Sequence, residues 1–136
     1  MPLIVDFFLP RKPVSHQAKD KKNLDAWKEY VYARAHRVWP VTPLCGLPLK
    51  FTMVYLAEAE DVGDINNFVK PVQDALNTLI YGDDELVMDV SAHKRILSEP
   101  IDITGLPEEL AMAVIQGVPC VYVAISNSRE LAKELI

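Results

Sequence analysis

Residues 49–94, LKFTMVYLAEAEDVGDINNFVKPVQDALNTLIYGDDELVMDVSAHK, change their hydrophobic period twice, and that double change decides the fold. Over residues 49–57 apolar side chains alternate, with Leu49, Phe51, Met53 and Tyr55 on one side, which predicts a half-buried strand. Over residues 67–81 the period lengthens. Val72, Ala75, Leu76, Leu79 and Ile80 fall at i, i+3, i+4, i+7 and i+8, the stripe of an amphipathic helix, with Gly82 as its natural stop. Residues 86–94 return to alternation, with Leu86, Met88, Val90 and Ala92 inward.

Outward from this strand–helix–strand core, residues 3–9 (LIVDFFL) read as a buried strand ended by Pro10 and Pro13. Asn23 or Asp25 can cap a helix running to about Val38, with Leu24, Trp27, Val31 and Ala35 on one face. Pro40, Pro43, Gly46 and Pro48 mark a loop. Further on, Pro107 to Gln116 suits a short helix with Pro107 near its first turn. Residues 118–125 suit a last strand, and residues 128–136 a short closing helix. The sum is an α+β fold: a single small domain with one mixed sheet of about four strands covered by helices.

The chain has 136 residues, half of them hydrophobic, enough for one core and little more. No apolar run approaches the roughly 20 residues that span a bilayer. The opening MPLIVDFFLPRKP sets apolar residues ahead of basic ones, the reverse of a secretory signal, so a cytoplasmic protein with no membrane partner is expected. Cys45 and Cys120 lack metal-type spacing and read as reduced thiols.

A net charge of -5 looks unsuited to gripping DNA, but its distribution is uneven. Residues 11–37 carry Arg11, Lys12, Lys19, Lys21, Lys22, Lys28, Arg34 and Arg37 against Asp20, Asp25 and Glu29, a net of +5 that leaves -10 for the rest. A basic segment beside an acidic cluster fits a phosphate-binding surface flanking a metal site. An acidic protein with one solvated basic helix fits the same numbers.

Asp64, Asn66 and Asn67 stand where a strand hands over to a helix. Lys70 lies about one turn into that helix, and Asp83 and Asp84 lie beyond its other end. Hydrolysing a phosphodiester with Mg²⁺ needs hard oxygen ligands that leave positions for water and phosphate, and a nearby lysine can stabilise developing negative charge. Asp64, Asp83, Asp84 and Lys70 are the right types. Each also has a plain structural role: Asx residues cap helices, and an Asp pair after glycine is ordinary turn chemistry. Asp64 and Asp84 are separated by a helix of about 20 Å. Their convergence requires a return by the following strand, or a partner chain.

The run DINNFVKPVQDALNTLIYGDDELV resembles the signature of RusA-type Holliday junction resolvases, D-x-D-N-x-x-K-x-x-x-D-A-L followed by a pair of aspartates and an apolar strand. Asp64, Asn67, Lys70, Asp74, Ala75, Leu76, Asp83 and Asp84 match in register. The earlier KPVSHQ (Lys12 to Gln17) and Trp27-Lys28 are similar to the family's N-terminal region, and Gly117-Val118-Pro119 is a looser likeness. Residues 98–116 have no counterpart. The resemblance implies one RusA-like domain over residues 1–136, acting in DNA recombination and repair as a homodimer that nicks four-way junctions with Mg²⁺. It implies catalytic roles for Asp64, Lys70 and Asp84, and a metal set of Asp64, Asn66, Asp83 and Asp84. Asp74 would support the site. Lys12, Lys19, Lys21, Lys22, Arg34 and Arg37 would track DNA phosphates.

Asn66 departs from the family, which places its second aspartate there. An amide oxygen can coordinate Mg²⁺ but brings no charge and cannot act as a base. Either the site works weakly with a neutral ligand, or the protein binds junctions without cutting them. Asp61 is the neighbouring carboxylate that a shifted loop could bring in. His16, His36 and His93 read as surface residues, and Phe7 and Phe8 as core packing.

Overall fold

A computed structural model describes residues 3–58 and 63–136. Four strands, β1 (Leu3–Leu9), β2 (Leu49–Ala57), β3 (Val87–Ile96) and β4 (Cys120–Asn127), form one sheet in the order β1-β4-β2-β3. β3 runs parallel to β2, and the other pairings are antiparallel, so the sheet is mixed as expected. Parallel neighbours need a crossover, and helix α2 (Asn66–Leu76) supplies it.

Alternation in β2 sorts the two faces. Leu49, Phe51, Met53 and Tyr55 point into the main core under α1 (Lys21–Val38) and α2, where Trp27, Val31, Ala35, Phe68, Val72 and Leu76 meet them. Leu56 points the other way and packs with Cys120 against Leu110 and Ala113 of α3 (Glu108–Gln116). Each fully buried side chain of this size is worth about 1.5–3 kcal/mol, so the two clusters fix α2 and α3 on opposite faces. Burial also pushes the Cys120 thiol up to about 12, which keeps it protonated and inert. Gly117, at φ 69, closes α3 in the left-handed conformation glycine tolerates. The short α4 (Leu131–Glu134) returns to the sheet through Glu134, which meets Lys50 at 2.8 Å and Arg129 at 2.9 Å. Those two cations hold the Glu134 carboxyl down to about 2. Among the described residues no helix is long and apolar enough to cross a membrane.

Several boundaries differ from the sequence expectation. The α1 cap is Asp20, not Asn23 or Asp25: its carboxylate accepts the Lys22 N–H at 2.9 Å and the Asn23 N–H at 3.4 Å. The first turn is polar, so its start carries no apolar period. The second helix stops at Leu76 rather than near residue 81. Asn77 turns extended (ψ 133) and Thr78 goes left-handed (φ 68). Leu79, Ile80 and Tyr81 stay buried, but in a turn tied down by Leu44, whose N–H donates to the Ile80 carbonyl at 2.7 Å. They keep the helical stripe without the helix, and Gly82 only donates its N–H to Leu44. In β3 a register shift opposite Leu49 and Lys50 leaves Met88 between paired residues. Val87 therefore packs on the core, while Met88 is 68% exposed and Val90, on the edge strand, 55%. Leu86 lies in the 3-10 turn Asp84–Leu86. The C-terminal strand and helix lie at Cys120–Asn127 and Leu131–Glu134, each shifted from or shorter than the range expected from pattern alone.

Candidate active site

Pro71 organises the near end of α2. Lacking an N–H, it leaves the carbonyl of Asn67, four residues earlier, without its helical donor. The His16 N–H takes that carbonyl at 2.7 Å, strapping the basic loop 11–19 to the first turn of α2. Asp64 precedes this turn: its side chain accepts the Asn66 N–H at 3.1 Å and its carbonyl accepts the Asn67 N–H at 3.0 Å. Asp64 and Asn66 are both exposed. Lys94, reaching from β3, donates to the Gly63 carbonyl at 3.2 Å. Asp61 lies outside the described residues.

The middle and far end of α2 build a different environment. Lys70, Asp74, Asn77, Tyr81 and Asp84 line a hollow of about 210 Å³ between α2 and the start of β3. Lys70 Nζ meets Asp74 at 2.8 Å, and Lys28 of α1 approaches the same carboxylate at 3.7 Å. The hydrogen bond and charge of Asp74, with a further contribution from Asp84, raise the Lys70 pKa, so the ammonium stays charged. Tyr81, buried, donates its hydroxyl to the Gln73 carbonyl at 3.0 Å. Burial pushes its pKa up, with Asp84 and Asp74 adding to the effect, so it remains a neutral phenol. The buried side-chain oxygen of Asn77 finds no donor among the described residues. Asp83 commits its carboxylate to the Glu85 N–H at 3.0 Å, capping the 3-10 turn. Asp84 is exposed and faces the hollow.

The structure therefore brings Lys70 and Asp84 together, adds Asp74, and leaves Asp64 and Asn66 at the other end of α2. Eleven helical residues separate the two ends, a rise of about 16 Å. Among the described residues no three His, Cys, Asp or Glu side chains lie close enough to hold a metal. Sequence reasoning missed Asn77, Tyr81 and Lys28. Lys70 and Asp74 stand four apart on one helix, and that spacing signals their pairing. Nothing in the spacing signals Lys28, which arrives through the packing of α1 on α2.

Of the basic residues, Lys19, Lys21, Lys22 and Arg37 are exposed. Lys12 pairs with Glu58 at 3.5 Å, and Arg34 donates to the Phe8 carbonyl at 3.0 Å, so part of its guanidinium serves the fold. Lys21 and Lys22 begin α1, whose first turn holds no acidic residue. Cations there oppose the helix dipole at a cost of about 0.3–1 kcal/mol each.

Among families, the one described as Endodeoxyribonuclease RusA matches residues 4–104. Among curated proteins, none matches the chain. The matched span takes in the loop 11–19, α1, both ends of α2 and β3, and stops before α3.

Proposed function

Because the chain belongs to the RusA endodeoxyribonuclease family, we propose that it is a Mg²⁺-dependent, structure-selective endonuclease that nicks four-way DNA junctions as a homodimer. On this reading it serves recombination and repair in the cytoplasm. The observation that carries it is the exposed Asp84 beside a charged Lys70, inside the stretch matched by the family. Lys70 is the positioning cation: held protonated, it draws a phosphate oxygen toward Asp84 and cannot act as the base.

Among the described residues the donors of one chain do not make a metal site, since Asp74 is taken by two lysines and Asp64 lies at the other end of α2. The fit is completed if a two-fold partner places its Asp64 and Asn66 against Asp84, with Asp83 and the Asn77 oxygen supporting. A C₂ pair also matches the two-fold related strands of a junction. A metal held there would polarise the phosphate and activate water. The basic loop and α1, with Lys12, Lys19, Lys21, Lys22, Arg34 and Arg37, would hold the phosphates.

A second reading, junction binding with little or no cutting, is favoured by Asn66, an exposed neutral amide at the first position of α2. A labelled four-way junction incubated with Mg²⁺ and with EDTA decides: metal-dependent paired nicks support the enzyme, a retarded uncut complex supports the binder, and neither rejects both.

A further inference from the structure

A cleft in the basic segment shares none of its lining residues with the α2 hollow. It has a volume of about 520 Å³ and is lined by Arg11, Val14, Ser15, Lys19, Asn23 and Trp27 among others. That volume falls in the range of roughly 300–1,000 Å³ typical of small-molecule sites. Trp27 is only 2% exposed, yet its indole N–H has no acceptor among the described residues. A buried donor is normally satisfied. The other tryptophan obeys that rule: Trp39 donates to the Thr42 carbonyl at 3.2 Å.

Three features identify what would satisfy it. The Arg11 guanidinium lies 3.6 Å from the centre of the Tyr30 ring, which in turn stacks on Trp27 at 5.9 Å. A guanidinium fixed on one face by a phenol is a planar cation suited to stack a base on its other. Lys19 supplies positive charge beside it, suited to a phosphate. Asn23, whose backbone N–H rather than its side chain meets the Asp20 cap, adds an amide that can pair with a base edge.

We infer that this cleft binds one unstacked nucleotide of a DNA strand, with the Trp27 N–H donating to the base and Lys19 meeting its phosphate. This deepens the junction-binding reading and rests on it. The His16–Asn67 bond fixes the cleft's loop to the α2 turn that carries Asp64 and Asn66, so an extruded nucleotide lies next to that end of the site. A base at a branch point has lost a stacking neighbour, which lowers the cost of its extrusion.

The test uses the full chain carrying 5-fluorotryptophan, so that ¹⁹F NMR reports Trp27 and Trp39 separately. Saturation with a four-way junction should shift Trp27 and leave Trp39 in place. Trp27→Phe, which keeps an aromatic side chain but removes the indole N–H, leaves a small void in the core; at a temperature where circular dichroism shows it fully folded, it should weaken junction binding about tenfold with an unchanged salt slope. A Trp27 signal that moves no more than that of Trp39 in a formed complex overturns the nucleotide site while leaving junction binding intact. So does wild-type affinity in Trp27→Phe. If the protein binds no junction at all, the functional reading falls. The cleft is then judged by titration with the four deoxynucleoside monophosphates: a selective Trp27 shift upholds it, and silence at millimolar nucleotide, or an equal shift with inorganic phosphate, overturns it.

Discussion

The two ends of α2 carry the same kinds of residue and use them differently. At the N-terminal end Asp64 is bound to the backbone N–H of Asn66, and the neighbouring carbonyl of Asn67 is taken by His16. Polar groups there hold the chain's own turn together. At the C-terminal end Asp74 gathers two lysines, Tyr81 points its hydroxyl into the helix, and Asp84 is left with the hollow. The N-terminal end commits part of its polar groups to its own turn while Asp64 stays exposed, and the C-terminal end keeps Asp84 facing a hollow that a ligand can enter. The lesson is that a family signature locates groups along a chain, while the backbone decides which of them remain for a substrate.

The strongest way to break that comparison is to ask whether the ends act within one chain or across two. Asp64→Asn and Asp84→Asn should each lower junction cleavage by on the order of a thousandfold, the scale of losing an electrostatic group at the reacting centre. Mixed and refolded together, the two variants should regain nicking of one strand, because about half of the dimers are then mixed and each mixed dimer holds both native aspartates in one of its two composite sites. Failure to regain any would place both carboxylates in the same subunit's site.

The first residue of α2 gives the next effect. Asn66→Asp should tighten Mg²⁺ by about tenfold, which corresponds to about 1.4 kcal/mol, and raise cleavage with it. In EDTA the same variant should bind junctions slightly less tightly, because an added carboxylate repels phosphate. Calorimetry with Mg²⁺ and gel shifts in EDTA check both signs. Unchanged metal affinity would remove residue 66 from the metal's ligands and make Asp61 the carboxylate to test.

Much of this layout is legible in the sequence, and what is not has identifiable causes. The alternation in residues 49–57 and the buried run 3–9 fix two strands because a pleated strand with one buried face has no other solution. The end of α2 is not legible. Leu79 and Ile80 continue its stripe, and a β-branched Thr78 in the left-handed region is a conformation no propensity predicts. The inward face of β3 is half readable: Leu86 and Ala92 pack on the core, whereas the bulge at Met88 turns that side chain out and Val90 is exposed on the edge strand. For the site, types and register are readable, and Lys70 and Asp84 line one hollow. Distances are not: sequence cannot show that α2 stands between Asp64 and Asp84, nor that α1 delivers Lys28 to Asp74.

The basic surface ties to the N-terminal end through the His16 strap, and its contribution is additive. Changing Lys19, Lys21 and Lys22 together to alanine should weaken junction binding severalfold and reduce the salt slope by up to about 2.7, or about 0.9 for each phosphate no longer neutralised. The folded state should be slightly more stable, since two cations leave the start of a helix dipole. An unchanged affinity and an unchanged slope would assign these lysines to solubility.

The smallest effect separates Asp74 from Asp84 at the C-terminal end. Asp74 touches two lysines, so it acts as the anchor that aims Lys70, while Asp84 faces the hollow directly. Asp74→Asn should therefore cost cleavage less than about tenfold, against a near-total loss for Asp84→Asn. Stability supplies an independent reading. Lys70 has its pKa raised above 10.5 in the folded chain, chiefly by the Asp74 hydrogen bond. A raised folded pKa contributes stability that is fully present below the unfolded value and disappears as pH climbs through the folded one. The pair is half exposed, and exposed helix pairs four residues apart contribute only about 0.3–0.5 kcal/mol. Urea denaturation should show wild type more stable than Asp74→Asn by about that amount at pH 7. The difference should narrow once the pH exceeds the folded value. A loss of cleavage in Asp74→Asn as deep as in Asp84→Asn, with stability unchanged at every pH, would make Asp74 a ligand of the metal and not the anchor of Lys70.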